Sequence, residues 1–233
     1  MEKAYKNLTF FFIAIAIVLI WGFYKTYLVY FPRFIGFNYV QHVHGFLMLT
    51  WLCFLIVQPL LIRAKYYKEH RIIGKLSYFI APLVLVSIFL VTKMVYYRTL
   101  KADSLKEAIA SITVIIPDLI SFAIFYFLAI KNRKNIPKHM RYMIGISLLL
   151  ISPGLGRAFA IIFNWSFTYS YAIPDYIAMA IVLFLIGYDY YNKKNYYPFI
   201  IILSVLIVRH LIWLFRYTGA WQTIGGQFAK YLF

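Results

Sequence analysis

The chain has 233 residues, of which 64% are hydrophobic and 21% aromatic, and a formal net charge of +17. So little polar surface excludes a soluble globule. The basic residues are spread over alternate connections and span ends, which excludes one continuous nucleic-acid-binding patch and leaves anionic lipid headgroups as their expected partners.

A hydrocarbon core of about 30 Å takes roughly 20 helical residues to cross. Seven apolar runs meet that requirement, at 8–30, 40–62, 72–96, 108–130, 142–163, 172–191 and 197–217. The joints between them are short and carry Pro, Asn, Lys or Arg, so the expected fold is all-α: one polytopic seven-helix transmembrane domain over 1–233. Positive charge falls at the N-terminus (Lys3, Lys6) and in the second connection (Arg63, Lys65, Lys68, Arg71), the fourth (Lys131, Arg133, Lys134, Lys138, Arg141) and the sixth (Lys193, Lys194). Positive loops stay cytoplasmic, which predicts an N-in, C-out chain in a bacterial inner membrane. Tyr66, Tyr67, Tyr190, Tyr191, Tyr196 and Tyr197 would mark the inner boundary, and Tyr96, Tyr97, Tyr169 and Tyr171 the outer one.

The first run resembles a signal sequence, but no small-x-small cleavage site precedes Trp21, Tyr24 and Lys25, so it reads as a retained span. The second opens with His42-x-His44 between Asn38 and Gly45. Residues two apart point about 200° from each other on a regular helix, so both serve one metal only if this end is unwound. Cys53, the only cysteine, excludes an intramolecular disulfide and reads as a small packing residue. His70 opens the third span as Glu69-His70-Arg71, and His139 the fifth as Lys138-His139-Met140-Arg141; both suggest interfacial headgroup contacts. Their surroundings also hint at a degenerate duplicated hairpin.

In the fourth run Pro117 precedes Asp118 and should free the carbonyl near Thr113, while Pro153-Gly154-Leu155-Gly156-Arg157 should interrupt the fifth. In the sixth, Pro174 reads as a first-turn residue, and Asp175 as either a helix-start carboxylate or a site residue. Asp189 reads as an inner-boundary partner of a loop cation. The seventh carries Arg209 and His210, with Arg216 snorkelling at the boundary.

At about 1.5 Å of rise per residue, His42, His44, Asp118, Arg157, Asp175, Arg209 and His210 all fall in the outer half of the membrane. A charge there is costly and marks a site, although Asp118 paired with Arg157 or Arg209 could also serve packing alone.

Gln41-His42-Val43-His44-Gly45, with Trp51 and Gln58 in the same span and then His70-Arg71-Ile72-Ile73-Gly74, resembles a family of multi-pass bacterial membrane proteins. The resemblance covers spans two and three best and implies a seven-helix bacterial membrane protein, with no activity to transfer.

Three functions fit these residues. In the first, His44 and His210 are axial ligands of a b-type heme whose propionates meet Arg157, Arg209 or Arg216, giving membrane redox chemistry. In the second, His42, His44, Asp118, Asp175 and His210 hold a transition metal for hydrolysis or oxidation, with Asp118 the catalytic proton acceptor; the chain lacks the His-x-x-x-His pair of seven-span zinc hydrolases. In the third, a non-enzymatic receptor, carrier or assembly factor binds a small solute or lipid, with Arg157 as anion contact and the histidines and carboxylates relaying protons.

Overall fold

The computed structural model describes residues 7–233; Lys3 and Lys6, part of the expected cytoplasmic charge, lie outside them. The described residues form nine α-helices, a short 3-10 turn at Leu28–Tyr30 and no strand. Five single helices are long and apolar enough to cross a membrane: α2 (Tyr39–Arg63), α3 (Tyr67–Ala102), α4 (Leu105–Lys131), α7 (Phe167–Tyr191) and α8 (Tyr197–Leu214). The jointed pair α5 (Ile136–Leu148) and α6 (Ile151–Ile162) makes a sixth such unit. α1 (Leu8–Tyr24) is a shorter apolar helix of 17 residues, and α9 (Gly219–Leu232) follows α8.

Helix starts carry their own signals. Asn38 accepts from the backbone N–H of Gln41, whose side chain bonds back to Asn38 N, a complete capping box. Ser104, Asn135 and Thr218 cap α4, α5 and α9 by accepting from the backbone N–H three residues on, without the return bond. α4 is central, packing on α3, α5, α8 and α9, while α1 lies against α2 and α6. Trp51, Val84, Phe125, Ile146, Val182 and Phe199 come from six helices and meet in one apolar core. Outside it the surface is also apolar: Phe46, Phe79, Phe127 and Phe184 are 69, 73, 63 and 69% exposed on four different helices. An apolar belt of that extent fits a hydrocarbon solvent, and the protein is a multi-pass membrane helical bundle.

Two helix ends differ from the sequence expectation for definable reasons. The interruption in the fifth span falls at Leu149–Leu150, upstream of Pro153, because a proline ring clashes with the carbonyl four residues earlier, which here is that of Leu149. Leu149 N and Leu150 N therefore bond to Ile146 O and Ser147 O at 3.2 and 3.1 Å, three residues back, and Pro153 enters the first turn of α6. The sixth span starts at Phe167, several residues before its expected start. Pro174 is thus inside α7, and Asp175 is neither N-cap nor first-turn carboxylate but a fully buried mid-helix residue. α9 has no counterpart among the seven apolar runs. It closes one end of the bundle, hereafter the α9 end, where Gln222 Nε2 donates to Lys106 O at 3.2 Å and Arg216 O at 2.8 Å.

Candidate functional site

Helical spacing assembles the site. On α8, Arg209 and Trp213 stand at i and i+4, on one face, with Arg216 in the turn just past the helix end, and on α7 Tyr171 and Asp175 stand at i and i+4. Where these faces meet α4, the guanidinium of Arg209 bridges two carboxylates, with Nη1 donating to Asp118 and Nη2 to Asp175. Ser152, at the start of α6, donates to Asp175 Oδ1 at 2.8 Å and accepts from Arg209 Nη2 at 3.2 Å. His210 Nδ1 lies 3.0 Å from Asp175 Oδ2, and its Nε2 lies 3.2 Å from the Tyr176 hydroxyl. Four helices thus tie one buried ionic network together.

Arg209 and Asp175 are sealed, at 1% and 0% side-chain exposure, whereas Asp118 retains 23%. Asp118 is the network's opening. One guanidinium faces two carboxylates, so the cluster sums to one negative charge with His210 neutral and to zero when it holds one proton. In a medium of low dielectric that difference is large.

Beside the cluster lies a second layer. Tyr171 and Trp213 rings pack 4.8 Å apart, and Arg216 stacks 4.2 Å over Trp213. Ser152, Tyr176, Tyr171 and Trp213 were not among the expected site residues; for Tyr171 and Trp213 the i, i+4 spacing from Asp175 and Arg209 was the available signal.

The remaining candidates are elsewhere. α2 is helical from Tyr39, so His42 and His44 diverge instead of sharing an unwound end. His42 Nδ1 meets the Tyr27 hydroxyl at 2.6 Å within an aromatic nest that includes Phe34 and Phe37. Burial pushes the Tyr27 hydroxyl up from its ordinary value. His44 Nδ1 instead meets Ser87 Oγ at 3.0 Å. Arg157 is exposed, stacks 4.2 Å from the Phe23 ring and donates to Pro153 O, while Asp118 takes Arg209 as its partner.

At the opposite end, Gln58 Nε2 donates to His70 Nδ1, and His139 Nδ1 lies 2.9 Å from Ala129 O. Both histidines are thus engaged within the chain. Asp189 pairs with Arg141, which belongs to the second turn of α5 and not to a loop.

For the expected metal set, the structure joins Asp175 to His210 directly and to Asp118 through Arg209. Among the described residues no three His, Cys, Asp or Glu gather as a metal-holding group. The position between the two carboxylates is filled by a guanidinium, and both ring nitrogens of His210, the other expected heme ligand beside His44, are hydrogen-bonded within the chain. Comparison of the chain with protein-family models, with curated proteins and with solved structures finds no match.

Proposed function

We propose that this chain is a seven-span bacterial inner-membrane protein, N-in and C-out, that works as a non-enzymatic carrier or receptor and couples an exchangeable proton to solute binding. In this reading α1 is the seventh span, since 17 residues is at the short end of what crosses a bilayer, and the α9 end faces outward. Membership of the multi-pass family with the His-x-His-Gly and His-Arg-x-x-Gly spans accompanies the same reading.

One observation carries it: the Asp118–Arg209–Asp175–His210 cluster is buried, unbalanced by one charge, and most exposed at Asp118. Intramembrane carboxylates and histidines joined in this manner are proton-relay groups. Asp118 exchanges the proton, Asp175 and His210 share it, and Arg209 stays fixed as the counter-charge.

The test is infrared difference spectroscopy of the purified protein in lipid over about pH 5 to 8, the range in which a histidine-linked site changes charge. The expected result is a carboxylic-acid C=O band on acidification that disappears in Asp118→Asn or Asp175→Asn. A spectrum with no carboxyl change attributable to either residue would overturn the proposal. A visible spectrum of the same sample covers the redox reading: a Soret band lost in His44→Ala or His210→Ala would replace the carrier with a membrane cytochrome.

A further inference from the structure

Among the described residues, five buried side-chain polar atoms lack a hydrogen-bond partner, and four of them belong to the α7–α8 layer beside the cluster: Arg209 Nε, Tyr171 OH, Trp213 Nε1 and Arg216 Nε. Three of the side chains that carry them are well sealed, with Arg209 and Trp213 1% exposed and Tyr171 7%, and the fourth, Arg216, is half-buried at the edge of the layer. Three of the four atoms can only donate, and the fourth donates as readily as it accepts. Leaving one such donor unsatisfied costs about as much as a lost hydrogen bond, so four in adjoining side chains form a deliberate arrangement.

We infer that this layer is a binding site for a small oxyanion, a carboxylate by preference, held between Arg209 and Arg216 by the Tyr171 hydroxyl and the Trp213 indole N–H. The inference rests on the proton-coupled reading and names the solute class for it. An acceptor-only group bearing one negative charge satisfies donor-only neighbours, and two guanidiniums are the natural walls for it. Charge agrees. Arg216 balances the unprotonated cluster, so an anion that enters brings one negative charge and the cluster takes up one proton, leaving the buried total unchanged. Anion and proton therefore bind together.

The stacking explains how the donors are aimed. Arg216 over the Trp213 ring and Tyr171 against it fix three of the four groups without using their polar atoms. Trp213 is also 5.4 Å from His210, which connects the oxyanion layer to the proton-bearing cluster.

The experiment uses the full chain in phosphatidylcholine nanodiscs, titrated calorimetrically with acetate and with inorganic phosphate against chloride at equal ionic strength. Saturable acetate binding is expected, about tenfold weaker in Tyr171→Phe, which keeps the ring, and in Trp213→Phe, which keeps an aromatic face but not the indole, each deleting one charge-assisted hydrogen bond. Arg216→Gln should abolish it. A second set of discs containing phosphatidylglycerol separates two sources of the same chemistry: acetate binding unaffected by that lipid assigns a free carboxylate, and acetate excluded by it assigns a headgroup phosphate. No binding by either anion and no effect of phosphatidylglycerol, or binding unchanged in both aromatic variants, would overturn the site. The infrared carboxyl band reports on the proton cluster separately, so a failed oxyanion site and a failed proton site give different results.

Discussion

The carboxylate of Asp189 on α7 and the guanidinium of Arg141 on α5 meet twice, at 2.6 Å through Nε and 3.0 Å through Nη2, with neither side chain exposed. This pair lies at the opposite end of the bundle from the Asp118–Arg209–Asp175 cluster. It clamps the two helices from which α6 and the site then diverge.

Breaking that clamp from one side should be costly. Asp189→Leu takes this bidentate carboxylate away from a buried guanidinium, and about 3–5 kcal/mol of stability should go. The double variant Arg141→Met with Asp189→Leu removes both charges and should recover most of the loss. Melting of the three proteins in detergent checks this; a double variant as unstable as the single one would show that the pair sets helix geometry as well as charge.

Arg209 makes a sharper demand, because one planar guanidinium serves two carboxylates and a serine. Arg209→Gln leaves Asp118 and Asp175 facing each other without a cation, so loss of folded protein is expected, again on the order of 3–5 kcal/mol. Arg209→Lys keeps the charge but cannot span both partners with a fork, and its stability should fall between the two. Thermal melting in detergent orders the three proteins.

The membrane class and most of the spans were legible because an apolar helical run of about 20 residues matches the thickness of a hydrocarbon core. That Asp118, Asp175, Arg209 and His210 share one depth was legible from helical rise. Depth does not give azimuth, however, and that is where expectation and structure part: His42, His44 and Arg157 share the depth but face Tyr27, Ser87 and Phe23. The position of Asp175 depended on how far α7 extends before Pro174, which a proline-centred reading truncated. Pro153 was recognised as a breaker, but its effect is displaced by one turn toward the N-terminus, to Leu149.

Tyr27 supplies a local prediction. Its hydroxyl bonds His42 at 2.6 Å while its ring packs on Phe34 and Phe37 at 4.8 and 5.0 Å. Tyr27→Phe keeps the aromatic nest and deletes one hydrogen bond, so about 0.5–1.5 kcal/mol should be lost, confined to the connection between α1 and α2. Hydrogen exchange should quicken across residues 27–42 and stay unchanged in α7 and α8. Faster exchange in α7 and α8 would mean that His42 is coupled to the Arg209 cluster after all.

Gly22 and Gly154 set how closely α1 approaches α6, and through α6 where Ser152 reaches the cluster. A Cβ on Gly22 would run into the Gly154 backbone carbonyl, and one on Gly154 would come within 2.9 Å of Val18 Cγ1 and 3.1 Å of Val18 O. Backbone atoms cannot rotate away as a side chain can. Gly22→Ala should therefore push α1 outward and cost about 1–3 kcal/mol. Gly187 is the matched control, since it sits inside α7 with nothing within 4 Å of its Cβ position. Gly187→Ala should gain stability, by up to about 1 kcal/mol from helix propensity alone. The opposite signs test the contact and not the residue type, and melting temperatures of both variants in one detergent decide it. If Gly22→Ala were as stable as Gly187→Ala, α1 would not be held on α6 in the membrane as it is here, and its place as a seventh span would have to be reconsidered.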